Sequence, residues 1–517
     1  MSAPDKPGEL DEVEKAYGLQ VETNQQQQQL IDPVAEKRVI SSPFWIDPIS
    51  GAQLSVTTPS GHAAKPKVTQ ADGVENSNAK IAGMEEDLGL DGDRYDWLLT
   101  IFYISYIVFE FQAIMWKLVP PHRWAAVCVF GWGLVATVQA ATHNWQGMMA
   151  LRFLMGLFEA GYGPGIPYLL SFFYLRHEVG SRQGIFLSAA PLANTFAGAL
   201  AYGITAARRS ALARWRLLFV VEGAPTLVMA AVAWFFLPDA PEKARFLDED
   251  EKRIARARAV RQTGQDAEAR IGGVEWKDVV AALLDLKCWF TALMYFSCNV
   301  SFASLPVFLP TILNEMGYSA INAQGLTAPP YFLSFLLTIG TTVLADRTRQ
   351  RAWTIAALTL VGGTGYVLLA ACNGAGARYA GVFLAAGGVF PAIANILPWV
   401  SNNQGSDTRR GVGFVVLNVV GQCGPLLGTR LYPTGDGPRY VKGQAVCAAF
   451  MFFCTLLVVA LRLLLVWENG RLDKKYGTVE EQRARRDAAG DVAGAKEGGQ
   501  AEGVGEENYG PMFRYVL

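Results

Sequence analysis

Charge is what this chain has least of. Asp, Glu, Lys and Arg make up 18% of its 517 residues, against about 25% in a soluble domain. Charges gather at the two ends and in one central stretch, leaving long runs with almost none. The formal net charge is −1, so no basic field is present to hold nucleic acid, and no such partner is expected. The four histidines (His62, His122, His143, His177) are scattered without metal-ligand spacing, so no metal centre is expected. The seven cysteines are Cys128, Cys288, Cys298, Cys372, Cys423, Cys447 and Cys454. None forms a CxxC, and all sit in or beside apolar runs, so they read as packing residues rather than a disulfide framework. No Gly-x-x-x-x-Gly-Lys-Ser/Thr loop is present to cradle a nucleotide. The first 30 residues are acidic and Gln-rich, unlike a secretory leader.

Apolar length is what the chain has in its place. Hydrophobic residues make up 51% and mean hydropathy is +0.19. Eleven segments approach or exceed the roughly 20 residues that cross a bilayer core: 97–118, 124–142, 147–174, 183–206, 216–237, 288–311, 325–345, 353–372, 379–400, 411–429 and 443–467. They do not alternate as membrane strands do. Lipid offers no partners to backbone amides, so such runs must be helices. The expectation is an all-α membrane protein with eleven transmembrane helices.

The remaining segments divide it. Residues 1–94 are polar, with acidic residues outnumbering basic ones two to one and a Gln25–Gln29 run; they are expected to be mostly disordered. Residues 95–237 form a first helical bundle. Residues 238–286 are a charged linker with amphipathic helices. Residues 287–467 form a second bundle, and 468–517 a mobile Gly/Ala/Glu-rich tail. Lys and Arg concentrate on the linker side, which makes that side and the tail cytoplasmic by the positive-inside rule. Arg208, Arg209, Arg214 and Arg216 on the other side stand against the trend. Eleven crossings also put residues 1–94 outside, although they have the composition of a cytoplasmic segment.

Ionisable groups inside apolar helices are costly and mark functional positions. Arg152 and Glu159 are seven residues apart, which on an α-helix brings both to one face about 10 Å apart along the axis. The Arg152 fork suits a substrate carboxylate, and Glu159 suits a proton. Glu110 and Glu222 read as braces for neighbouring arginines or helix ends, Glu110 also as a gating candidate. The second bundle has no charge at mid-depth; its polar groups are Asn299, Ser301, Tyr331, Asn395, Asn418 and Gln422. Asn299, Tyr331, Asn395, Asn418 and Gln422 are candidates for a secondary pocket, or for polar glue between helices. Gly156, Gly161, Gly163 and Pro164 allow close approach and bending of the helix that carries Arg152.

Several blocks then resemble one family. Arg152-Phe-Leu-Met-Gly156-Leu-Phe-Glu159-Ala160-Gly161-Tyr-Gly-Pro164-Gly165 resembles the fourth-helix signature of the anion:cation symporters, a branch of the major facilitator superfamily, and in particular the fungal allantoate-permease-like members. Asn78–Gly83 with Leu88-Gly89-Leu90, Trp97–Thr100 with Phe109-Glu110, Trp215–Phe219 with Glu222-Gly223, Leu237–Lys243, Phe308-Leu309-Pro310, Ala328–Tyr331, Ala345-Asp346-Arg347, Trp399–Asn403 with Arg409-Arg410, Pro438-Arg439-Tyr440 and Phe513-Arg514-Tyr515 agree in order.

The resemblance implies a two-bundle fold of twelve helices with a site at mid-depth. It implies proton-coupled, alternating-access transport of a small organic anion, such as allantoate, nicotinate or pantothenate. Arg152 and Glu159 would serve anion binding and coupling, and Asp346 and Arg347 gating. No catalysis and no cofactor are implied beyond a proton gradient; the partners are the substrate and the bilayer, the chain is a monomer, and the location is the plasma membrane. The departure is the first helix: Ser41–Glu75, with Pro43, Asp47, Pro48, Pro59, Lys65, Pro66 and Lys67, offers no span. That stretch reads as intron-derived sequence in place of an exon. A receptor that binds without transporting, an exporter on the same fold, and an inactive chain are the rival readings.

Overall fold

The computed structural model describes residues 79, 83–90, 93–163, 165–174, 178–206, 212–255, 276–433, 436–437, 439–482 and 513–517. The expectations for residues 41–75 and the rest of 1–78, for 256–275, and for 483–512 lie outside the described residues.

Among the described residues the regular structure is helical, without strands. The helices are α1 (Glu85–Leu88), α2 (Arg94–Phe109), α3 (Met115–Leu118), α4 (Pro121–Val138), α5 (Trp145–Ala160), α6 (Gly165–Phe173), α7 (Val179–Ala206) and α8 (Arg214–Phe236). Then follow α9 (Trp276–Leu283), α10 (Leu286–Glu315), α11 (Ala320–Leu326), α12 (Ala328–Thr348), α13 (Arg351–Ala371), α14 (Ala375–Asn402), α15 (Asp407–Gly428) and α16 (Val441–Tyr476). Each of the eleven apolar segments read from the sequence is mainly helical among the described residues. Among the described residues, eight helices are long and apolar enough to cross a membrane by length and composition.

The run expected over 147–174 is two helices. α5 starts at Asn144, whose Oδ1 accepts from the Gly147 N–H at 2.7 Å, a side-chain N-cap. It ends at Gly161, and α6 begins at Gly165. Breaking a helix at membrane depth leaves carbonyls without intrahelical donors. The neighbours supply them: Trp116 Nε1 and Trp124 Nε1 both donate to Gly161 O, at 2.7 and 3.0 Å, and Gln112 Nε2 donates to Leu157 O at 3.2 Å. The first long apolar run is interrupted as well, by a 3-10 turn over Glu110–Ile114 between α2 and α3.

The elements assemble as two bundles. In the first, α4 packs along α8 and α5, and α5 along α2. In the second, α13 packs on α14 and α16, and α10 on α15 and α16. The bundles meet along two seams, α7 with α12 and α14, and α2 with α15. The linker helix α9 packs on α15, tied by Asp278, whose carboxylate accepts from Ser406 Oγ at 2.5 Å and Arg409 Nε at 3.1 Å. The side carrying α9 is called the linker face below.

Two terminal segments depart from their expected character. Ala79, Met84, Leu88 and Leu90, in the stretch read as mostly disordered, are buried with Tyr95, Trp215, Phe219 and Val307. Apolar side chains in this short segment find a wall of aromatic residues to cover them, which its overall acidity hides. At the other end α16 continues to Tyr476, beyond the apolar limit at 467, and Phe513–Leu517 dock against the second bundle. The arginine cluster opposite the linker face has a structural role at Arg216. Its guanidinium donates to Ala140 O at 3.0 Å and Thr142 O at 2.9 Å, closing the end of α4, where cations are favoured.

Candidate functional site

α5 turns one stripe inward: Met148, Arg152, Met155, Gly156, Glu159 and Ala160 are buried. Spacings of three and four residues define one helical face, so Arg152 and Glu159 do share it. Each is only 2% exposed, so protein covers both in this state. Arg152 Nη1 reaches the Met155 sulfur at 3.7 Å, which also receives Gln139 Nε2 at 3.2 Å. Gly156 allows this stripe to approach α2: a Cβ there would overlap Phe102 O and lie 3.1 Å from Ser105 Cβ. Ser105 Oγ donates to Phe153 O at 2.6 Å and closes the same contact.

Over this stripe the two bundles share a lid. Phe102, Tyr103 and Tyr106 of α2 cluster with Met155 and Ala160 of α5, and with Ala303 of α10 and Leu426 of α15. Opposite the linker face the cover continues. Arg430 lies over the Trp97 ring at 5.1 Å, its Nη2 3.4 Å from Thr100 Oγ1.

Glu110 opens the 3-10 turn and is fully buried. Among the described residues neither of its carboxylate oxygens has a hydrogen-bond partner. The turn packs on α15. The turn that carries Glu110 therefore lies against the second bundle, and among the described residues no arginine hydrogen-bonds its carboxylate. Glu222 is buried on α8, next to Gly223, which lies against Thr137 of α4.

The secondary candidates separate by what they touch. Asn299 Nδ2 donates to Gly421 O at 3.2 Å. Pro425, four residues on in α15, has no N–H to offer that carbonyl, so Asn299 replaces the missing helical bond. Asn418 Nδ2 donates to Phe414 O of its own helix at 2.9 Å. Asn395 Nδ2 donates to Pro391 O at 2.9 Å and Thr341 Oγ1 at 3.3 Å. Gln422 is buried. Asn395 Oδ1 and the Tyr331 hydroxyl have no hydrogen-bond partner among the described residues, and neither does the Asn194 amide on α7. Sequence reasoning passed over Asn194; its signal was an amide in the middle of the apolar run of α7.

At the linker face Asp346, expected as a gating candidate, takes a partner that sequence reasoning did not name. The Ser181 N–H at the start of α7 donates to Asp346 Oδ2 at 2.5 Å. Asp346 also pairs with Arg351, the first residue of α13. Arg347, expected beside Asp346 in this role, is exposed. One residue along an α-helix is a rotation of about 100°, so Arg347 turns away. Gly180 lies against both Asp346 and Arg351, and Gly184 against Thr342. Asp346 alone was legible; Arg351 is brought back to it by the turn at Arg349, whose φ is 53°.

Two bundles of apolar helices that meet at two seams, with an Arg and a Glu buried on α5, have the architecture of a multi-pass membrane carrier. Residues 75–429 match the model of the Major Facilitator Superfamily, and the chain belongs to that superfamily; it is a transporter, not an enzyme. It is 33% identical to the MFS transporter prlL of Fungal sp. (strain NRRL 50135), covering 75% of this chain and 80% of that one. It is 30% identical to the major facilitator-type transporter hxnP of Emericella nidulans, covering 78% and 82%. The high-affinity nicotinic acid transporter of Saccharomyces cerevisiae is 28% identical, covering 78% and 74%. Among solved structures, the proton:xylose symporter XylE superimposes with a TM-score of 0.57 at 13% identity, over 81% of this chain and 96% of that one. That likeness is one of fold.

Proposed function

We propose that this transporter carries a small organic anion of the carboxylate type, nicotinate-like or allantoate-like, together with protons. The observation that carries the reading is the buried Arg152–Glu159 face of α5. A guanidinium kept inside a membrane protein is expensive unless it serves an anion or a structural partner, and its planar fork matches a carboxylate. Glu159, on the same face, is the proton carrier. The similarity to a nicotinic acid transporter supports the anion class.

The two seams support alternating access as the way it works. Substrate would enter when the Trp97–Arg430 side parts, and leave when the Ser181–Asp346 contact parts. Asn194, Tyr331 and Asn395, with hydrogen-bonding capacity to spare, would read the rest of the substrate. The linker face is proposed as cytoplasmic, in a plasma-membrane monomer, on the distribution of Lys and Arg.

The test is uptake of radiolabelled nicotinate, allantoate and pantothenate into vesicles of known sidedness holding the purified chain, with and without an inward proton gradient. Gradient-driven accumulation of a carboxylate, lost in Arg152→Lys and uncoupled from the gradient in Glu159→Gln, is expected. Binding without accumulation, or accumulation that survives both substitutions, would overturn the reading.

A further inference from the structure

Residues 513–517 take no part in the proposed site, yet they are among the most heavily tethered residues of the linker face. Their polar contacts reach three helices of the second bundle. Trp399 Nε1 of α14 donates to Val516 O at 2.8 Å. Asn403, just past α14, donates from Nδ2 to Val516 O at 3.1 Å and accepts the Val516 N–H at Oδ1, at 2.8 Å. On α16, Asn469 makes the same two-way pairing with Tyr515, at 2.9 and 2.8 Å. Arg514 Nε pairs with Asp473 at 2.7 Å. The Arg351 N–H of α13 donates to Leu517 O at 2.7 Å.

The side chains are held as well as the backbone. Phe513 is 1% exposed and meets the Tyr515 ring edge-on at 5.0 Å. Tyr515 lies under Lys287 of α10 at 4.9 Å. Lys287 in turn pairs with Glu468 of α16 at 3.1 Å. Two asparagines whose amides each match both the N–H and the C=O of one residue form a receptor for extended backbone, as a neighbouring strand would.

The last tether is the informative one. Arg351 holds Leu517 through its backbone and Asp346 through its side chain. Asp346 accepts the Ser181 N–H of the other bundle. Ser181 lies in the first turn of α7, where amides have no intrahelical acceptor, so this bond is its protection. We propose that residues 513–517 are an intramolecular strap, seated in a peptide groove formed by α13, α14 and α16, that fixes Arg351 and so holds the linker-face gate shut. Releasing the strap frees Arg351, weakens the Asp346–Ser181 contact and favours opening on that face. This inference uses the alternating-access reading only to say what the gate is for; the groove and its occupant stand apart from it.

Hydrogen exchange of the full chain in lipid nanodiscs tests the strap without substrate or proton gradient, so a failed uptake assay and a failed strap are separate results. Val516→Pro removes the N–H given to Asn403; Val516→Ala keeps it and controls for the lost side chain. Val516→Pro is expected to speed exchange across residues 179–186 of α7 by roughly three- to tenfold, the worth of one such bond. Val516→Ala is expected to stay within about twofold of the parent. If Val516→Pro changes only 395–405 and 465–477, the coupling to the gate is wrong. If both variants speed α7 equally, the backbone pairing is not what holds it. If neither changes exchange anywhere, the strap does not hold in solution.

Discussion

The Ser181 N–H of the first bundle donates to the Asp346 carboxylate of the second at 2.5 Å. This bond spans the boundary between the two bundles, which the proposed alternating access would open. It joins a carboxylate to the first turn of a helix, where anions are favoured by the helix dipole and by free N–H groups. Arg351 holds the same carboxylate in place. The contact is local, reversible and charge-assisted, which suits a gate better than a large apolar interface would.

Asp346→Asn keeps the size of the side chain and removes its charge. Hydrogen bonds to charged groups contribute about 1.5–3 kcal/mol, more than neutral ones. The variant is expected to lower the thermal unfolding midpoint by a few degrees and to cut accumulation at least tenfold, with Asp346→Glu restoring part of both. Fluorimetric melting and vesicle uptake on the same preparations check this. Wild-type values for Asp346→Asn in both would remove the bond from the gate.

The contact between α2 and α5 rests on a missing side chain. Gly156→Ala would put a Cβ against Phe102 O, backbone that cannot rotate away. The two helices must part, and overpacking of this kind costs about 1–3 kcal/mol. Gly340→Ala, on α12, is the control, because nothing lies within 4 Å of the added atom. A lower melting temperature for Gly156→Ala and an unchanged or higher one for Gly340→Ala are expected.

Hydropathy revealed the helices because lipid leaves a long apolar run one option. It did not reveal their breaks. The run over 147–174 stays apolar through Gly161–Gly163, and what ends α5 there is a set of indole and amide donors from distant residues. The helical period placed Arg152 and Glu159 on one buried face, since both lie on one element. The partners of Asp346 were hidden for the opposite reason: Ser181 and Arg351 reach it from other elements. Phe513–Leu517 follow a stretch of tail-like composition, and nothing in their order announces the asparagines that receive them.

Arg216 explains a charge that positive-inside reasoning left as an exception. It closes two carbonyls at the end of α4 and stacks on Trp215 at 4.7 Å. Arg216→Ala is expected to destabilise the first bundle by about 1–3 kcal/mol through the orphaned carbonyls, while Arg214→Ala, at an exposed position, changes stability little. Melting of the two variants compares them, and an equal loss in both would assign the effect to net charge.

Asn299 was read as a pocket residue or as glue, and its geometry favours the second. Its amide supplies Gly421 O with the donor that Pro425 cannot give. Asn299→Ala alone should leave a buried carbonyl unpaired and cost about 1–3 kcal/mol. In a Pro425→Ala background, residue 425 regains an N–H that can reach Gly421 O, so the same Asn299→Ala change should cost less. A double-mutant cycle measures the difference directly; coupling of about 1 kcal/mol is expected for groups that share one partner. Substrate affinity should change little in Asn299→Ala once expression is matched. A cycle with no coupling, together with a large loss of affinity, would return Asn299 to the substrate pocket.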